Sequence, residues 1–179
     1  MNQNAKQGLN ARIGFNGDFY HVDTMSGYGI LMADNLFESC LLSKDTTPEM
    51  LGLYLKKCLK QSRIVEPGNY DFFDYKKVKE RYEEWIKNII QLHGYKNKKS
   101  LFKQMNTCNV RQVGDLITIR PLNHVKLEAW SGDGISETDY VIIPVSASDE
   151  ELGNAVIEAF SRCKGRQFWV FVPGSYRRT

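Results

Sequence analysis

Residues 108–145, CNVRQVGDLITIRPLNHVKLEAWSGDGISETDYVIIPV, decide the fold. From Cys108 onward apolar and polar side chains alternate, a period of two that sends successive side chains to opposite faces of a strand. Gly114-Asp115 supplies the turn between CNVRQV and LITIRPL, because a two-residue hairpin needs backbone that tolerates positive φ. VKLEAW and DYVIIPV continue the series as an antiparallel meander. The pattern predicts one sheet containing residues 108–113, 116–120, 125–130 and 140–145. Val110, Ile117, Ile119, Leu127, Val141 and Ile143 are expected on its buried face.

Downstream, Ser148 and Glu151 have the spacing of a capping box and open a helix whose apolar side runs from Leu152 through Val156 and Phe160 to Cys163, with Gly165 as its stop. The apolar run FWVFV at 168–172 reads as a last strand. Upstream, RIGFNGDFYHV carries Asn16-Gly17 between apolar residues, a second hairpin signal with strands near 12–15 and 18–23. Thr46 and Glu49 offer another capping box. The helix it predicts has the stripe Met50, Leu51, Tyr54, Leu55, Cys58 and Leu59 and fades before Pro67-Gly68. Asp74 caps a longer helix in which Val78, Tyr82, Trp85, Ile89 and Leu92 recur at three- and four-residue steps, and Gly94 can end it. Its other face mixes lysines and glutamates, the composition of a solvated surface. A short helix through 100–105 follows.

Strand and helix clusters occupy different parts of the chain, which predicts an α+β fold rather than a doubly wound parallel one. It is expected to be a single domain, an antiparallel meander with an N-terminal hairpin packed against about four helices, with those centred on Trp85 and Val156 covering the sheet. A length of 179 residues, 42% of them apolar and 12% aromatic, suffices for one core. The domain is expected to span 12–172. Residues 1–11, MNQNAKQGLNA, lack an apolar run, so they are expected to be disordered and not to form a secretory signal. Residues 173–179 form a basic tail. A cytoplasmic protein is expected, and no stretch has the roughly 20 apolar residues of a membrane span. Cys40, Cys58, Cys108 and Cys163 lack zinc-ligand spacing, and their neighbours predict reduced, largely buried thiols.

Charge is sorted along the chain. Nine acidic and two basic residues lie between Asp115 and Glu158, a local net of −7 in a chain whose net charge is +3. Residues 44–103 carry fourteen basic and eight acidic side chains, and residues 159–179 add five basic groups. Such segregation creates fields that steer partners, and the acidic block points to a basic one.

Catalytic motifs are missing: there is no P-loop, no G-x-G-x-x-G after a strand, no H-E-x-x-H and no G-x-S-x-G. His21, His93 and His124 are the only histidines. Two of them with Lys126 would be the minimum for a ribonuclease, which needs an acid, a base and a charge stabiliser. No motif pairs them, so catalysis is not expected, and neither is a cofactor. The loop WSGDGISETDY gathers Asp133, Glu137 and Asp139 around two glycines. Its spacing is not that of an EF-hand, and it reads as an acidic turn without metal. Trp130 shares the strand parity of Glu128, which leaves two readings: an exposed aromatic anchor for a partner, or a ring packed under a helix or loop at the end of the sheet.

RIVEPGNYDFFDY, SLFKQMNTCNV, LITIRPLNHVKLEAWSGDGISETDYVIIPVSAS and EELGNAVIEAFSRC together resemble the immunity proteins of bacterial contact-dependent growth inhibition (CDI) systems, over about residues 12–165. The resemblance implies a non-catalytic cytoplasmic antitoxin that binds the C-terminal toxin domain of a sibling cell's effector, one to one, and blocks it. Such toxins are often nucleases, whose phosphate-binding surfaces are basic. Glu128, Trp130, Asp133, Glu137 and Asp139 are then the candidate toxin-binding residues, with the hairpin around Phe15 to Tyr20 as a rival surface. The alternative is a nucleic-acid-binding or nucleic-acid-processing protein using the basic segments 56–63, 76–103 and 162–178. A single cleft joining acidic and basic groups would favour that alternative.

Overall fold

The computed structural model describes residues 6–165. In chain order the elements are strands β1 (Leu9–Phe15), β2 (Phe19–Tyr28), β3 (Ile30–Ala33) and β4 (Cys40–Ser43), then helices α1 (Pro48–Gln61), α2 (Tyr70–Phe73), α3 (Tyr75–His93) and α4 (Lys98–Phe102). Strands β5 (Asn106–Val113), β6 (Leu116–Pro121), β7 (Asn123–Lys126) and β8 (Ala129–Ser131) follow, then a 3-10 turn (Glu137–Asp139), strand β9 (Val141–Pro144), helix α5 (Asp149–Ser161) and strand β10 (Lys164–Gly165).

Seven strands make the large sheet in the order β3-β2-β1-β5-β6-β9, with β4 also paired to β2. All its pairings are antiparallel. Both predicted hairpins form, and Gly114 takes the φ of 56° that the β5–β6 turn demands. The alternation works as expected: Ala11, Ile13, Tyr20, Val22, Cys108 and Val110 send their side chains to one face, joined there by Ile117, Ile119 and Val141. That face is covered by α1 and α5, through Leu51, Leu55, Cys58, Leu59, Leu152 and Val156.

The other face is covered only at one end. Phe19 packs there with Ile86, Ile89, Leu101, Phe102 and Met105 of the α3–α4 region, and His21 meets the edge of Trp85 at 5.3 Å between ring centroids. The helices centred on Trp85 and Val156 thus cover the sheet from opposite sides. Helix caps match the sequence signals at three places. Asp74 accepts from the Lys77 N–H, Gly94 ends α3 with φ 68°, and Ser148 and Glu151 form a reciprocal box at α5.

Several expectations are corrected. Residues 125–130 do not join the large sheet. β6 ends at Pro121, which has no N–H to continue a ladder, and β7 and β8 form their own tight hairpin across Leu127-Glu128 with an irregular register between His124 and Lys126. That hairpin pairs with β10 in a separate three-stranded sheet, and Leu127 at its tip is 40% exposed rather than buried. Order begins earlier than residue 12: β1 starts at Leu9, and Asn10 and Ala11 are buried. The cap of α1 is Thr47, not Thr46, because Pro48 at the first helical position holds its predecessor extended. Met50, Tyr82 and Leu92 lie on the outer sides of their helices and are exposed. α5 ends at Ser161, before Gly165, which lies in β10. The four cysteines are free thiols, Cys58 and Cys108 buried and the other two half-buried. The strand expected at 168–172 and the tail at 173–179 lie outside the described residues.

Candidate functional site

The acidic loop is built by the β7–β8 hairpin and the start of β9. Ser131 Oγ accepts from the Asp133 N–H at 3.0 Å, and Arg120 of β6 reaches across to donate to the Gly132 carbonyl at 3.0 Å. The absence of a side chain at Gly132 lets the Arg120 guanidinium lie directly against it, where a Cβ would push the arginine aside. Ile135 turns inward and anchors the loop. Ser136 and Asp139 then cap each other around the 3-10 turn, which fixes where Glu137 points.

Of the five candidate residues, the fold gathers Asp133, Glu137 and Asp139 into this loop. Asp133 and Glu137 are exposed and make no ion pair among the described residues. Asp139 is partly committed, facing Lys164 Nζ at 3.3 Å. Glu128 sits at the hairpin tip and pairs with Lys98 Nζ at 3.1 Å, which also holds Glu83. Trp130 follows the second of its two readings. Its ring stacks on His124 at 4.7 Å and meets Phe102 edge-on, and its indole N–H donates to the Met105 carbonyl at 2.8 Å. The tryptophan ties the small sheet to the α3–α4 core and remains half-buried.

Folding also remixes the charge that the sequence sorts. Asp149 pairs with Lys56 at 2.7 Å, Glu158 with Arg162, Glu128 with Lys98 and Asp139 with Lys164, so four carboxylates of the acidic block meet cations from the basic segments. Glu151 is used as a cap, accepting from the Ser148 N–H. Asp133 and Glu137 are the carboxylates of this loop left without an ion pair, and Asp115 and Glu150 elsewhere in the block are likewise exposed and unpaired among the described residues. The histidines are structural in setting: His21 bonds Asp23 at 2.8 Å in a buried site, His93 stacks on Phe19 at 4.5 Å, and His124 lies on Trp130. No group of three or more potential metal ligands occurs among the described residues.

A groove that no sequence motif marks lies beside the loop. The uncovered part of the large sheet forms a groove of about 630 Å³ lined by Arg12, Asn109, Arg111, Arg120 and Tyr140 among others. Its signal was present in the same alternation that marked the core, at the positions of opposite parity.

A family model described as CDI immunity protein matches residues 9–163. The chain belongs to the CDI immunity protein family. This immunity protein is 39% identical over 168 residues to the immunity protein CdiI-YPIII of Yersinia pseudotuberculosis serotype O:3 (strain YPIII), an alignment covering 87% of this chain and 95% of the relative. Among solved structures, a Neisseria meningitidis protein of unknown function superposes with a TM-score of 0.82 at 34% identity, covering 92% of this chain and 99% of that one. A chain of the CdiA-CT/CdiI toxin and immunity complex from Yersinia pseudotuberculosis gives 0.81 at 37% identity, covering 88% and 98%. Membership in this family decides between the two readings of the sequence: the immunity protein is an antitoxin and not an enzyme.

Proposed function

We propose that this immunity protein binds the C-terminal toxin domain of its cognate CDI effector, one to one and in the cytoplasm, and occludes a nuclease active site. Glu128, Trp130, Asp133, Glu137 and Asp139 form the candidate contact region. The observation that carries this reading is the exposed, uncompensated pair Asp133 and Glu137 on a loop braced at Gly132, Ile135 and Ser136. A nuclease must hold phosphate with lysines and arginines, and carboxylates on a fixed loop match those groups without substrate chemistry. Trp130 and Asp139 support the loop from below, through the Met105 carbonyl and Lys164 respectively. Among the described residues no helix is long and apolar enough to cross a membrane, in keeping with a partner met in the cytoplasm.

The rival surface offers less. At the β1–β2 hairpin, Asn16 is buried and donates to Tyr95 Oη at 2.9 Å and to the Leu101 carbonyl at 3.0 Å, so the tip is docked onto the chain itself. The reading is tested by Asp133→Lys with Glu137→Lys, changes on exposed side chains. Affinity for the toxin domain should fall by at least about tenfold, about 1.4 kcal/mol, with the thermal transition nearly unchanged. Protection of cells should fall with it. Unchanged affinity moves the interface to Gly17, Asp18 and the exposed segment around Leu36.

A further inference from the structure

Strand register gives the groove on the uncovered sheet face a polar floor. Arg12 lies opposite Asn109 and Asn109 opposite Arg120, one row across β1, β5 and β6, and Asn10, Arg111 and Thr118 form the next. Three guanidinium groups therefore line one groove, and among the described residues none of them forms an ion pair. Arg12 is desolvated, which lowers its pKa despite the attraction of Asp23 across the β1–β2 pair. Asp23 accepts its hydrogen bonds from His21 Nδ1 and Ser39 Oγ and none from Arg12, so the guanidinium has a nearby charge but no carboxylate fork of its own. Arg120 lies over the Tyr140 ring at 5.6 Å, and its Nε is buried without a hydrogen-bond partner.

Arg12 donates to Asn109 Oδ1, and the exposed Arg111 donates to the Gln7 and Lys6 carbonyls, neutral partners that leave both charges in place. A buried unpaired donor such as Arg120 Nε is unfavourable unless something meets it. A guanidinium fork matches a carboxylate through two parallel N–H bonds. The groove suits a protein carboxylate better than a polynucleotide for two reasons. Tyr140 is the one aromatic ring lining it and is already covered by Arg120, so no free platform remains on which a base would stack. The Asp133–Glu137 loop is joined to the groove through the Arg120 bond to Gly132, and its charge repels phosphate. Met25, Leu31, Val113 and Leu116 add aliphatic walls.

We infer that the groove over Arg12, Arg111 and Arg120 receives an acidic segment of the toxin domain flanked by aliphatic side chains, continuous with the carboxylate loop beside it. The inference rests on the toxin-binding reading above and extends it. The immunity protein presents two adjacent patches of opposite sign, and the toxin surface that fits them is charge-patterned in the complementary order. Such a pair fixes the orientation of docking and rejects toxins of uniform charge.

Calorimetric titration with the inactivated toxin domain of the effector encoded beside this protein tests it. Arg111→Gln with Arg120→Gln should weaken binding by at least about tenfold, while circular dichroism reports the native fold. Should that variant fail to fold, Arg111→Gln alone changes one exposed side chain and should still weaken binding about threefold, a shift calorimetry resolves. A labelled short single-stranded RNA should bind neither protein. Wild-type affinity retained by a folded variant overturns the groove while leaving the toxin-binding reading intact, and a wild type that does not bind the toxin domain overturns both. RNA binding that the arginine substitutions abolish would replace the acidic segment with nucleic acid.

Discussion

Asp34 has a fully buried side chain, and Arg63 reaches it with Nε at 2.7 Å and a second nitrogen at 3.0 Å, a forked contact that ties the end of α1 to the chain after β3. Burial opposes the Asp34 charge, but the hydrogen bonds from Arg63, Ser26 and the Leu36 N–H prevail and hold its pKa below the usual carboxylate value. A depressed folded-state pKa contributes stability that is present above the unfolded value and lost as pH falls through the folded one. Asp34→Asn should therefore cost about 1–3 kcal/mol at pH 7, and the gap between variant and wild type should narrow as pH falls below about 4 and the wild-type carboxylate protonates. Urea unfolding of both proteins across that range checks it, and a gap of constant size would contradict it. At this scale the sequence was legible where a residue acts on its neighbours, as Asp74, Ser148 and Gly94 do at helix ends. It was silent where the partner lies far along the chain. Nothing near Trp130 foretells that its indole N–H is taken by Met105, and nothing near Asp34 foretells Arg63.

The pairing of α1 and α5 depends on two glycines. A Cβ on Gly52 would sit 1.8 Å from the Asp149 carbonyl oxygen, and a Cβ on Gly153 would sit 1.8 Å from that of Pro48, so each helix rests its glycine on the first turn of the other. Backbone is in the way in both cases, and neither helix can relax without leaving the sheet. Gly→Ala in a helix ordinarily gains about 1 kcal/mol in propensity. Here Gly52→Ala or Gly153→Ala should instead destabilise by about 1–3 kcal/mol or more, because overpacking outweighs propensity. Gly68→Ala, in open space, should stay within about 0.5 kcal/mol of wild type. Thermal unfolding separates the three, and a neutral Gly52→Ala would refute the close crossing. Both helices and their apolar stripes are legible in the sequence, but not why glycine sits inside them, since a helix–helix crossing leaves no periodic mark. The same limit explains the misplaced strand at 125–130. Alternation identifies strands, whereas which sheet they join is decided by where β6 stops at Pro121 and by the short Leu127-Glu128 turn.

Charge shows what folding adds to composition at the scale of the molecule. A block of net −7 meets Lys56, Lys98, Arg162 and Lys164 from elsewhere in the chain, and among the carboxylates left without an ion pair are Asp133 and Glu137, on a small loop beside a groove of arginines. This arrangement gives an antitoxin of positive net charge a local acidic surface, a combination that a uniformly acidic mimic of nucleic acid would not have. Because Asp133 and Glu137 are exposed, their contribution should act on encounter. The association rate with the toxin domain should fall steeply as salt rises from low to physiological strength, and Asp133→Lys with Glu137→Lys should flatten that dependence. Stopped-flow mixing measures it, and a salt-independent rate would remove steering from the mechanism.

The proposal that this protein silences a nuclease by occupying it is tested most directly by titrating the purified toxin domain's cleavage of RNA and of DNA with the immunity protein. Occlusion predicts that cleavage falls linearly and is abolished at one molar equivalent, with no cleavage by the immunity protein alone. A toxin domain that cleaves neither RNA nor DNA by itself, or one that still cleaves in the presence of excess immunity protein, would contradict it.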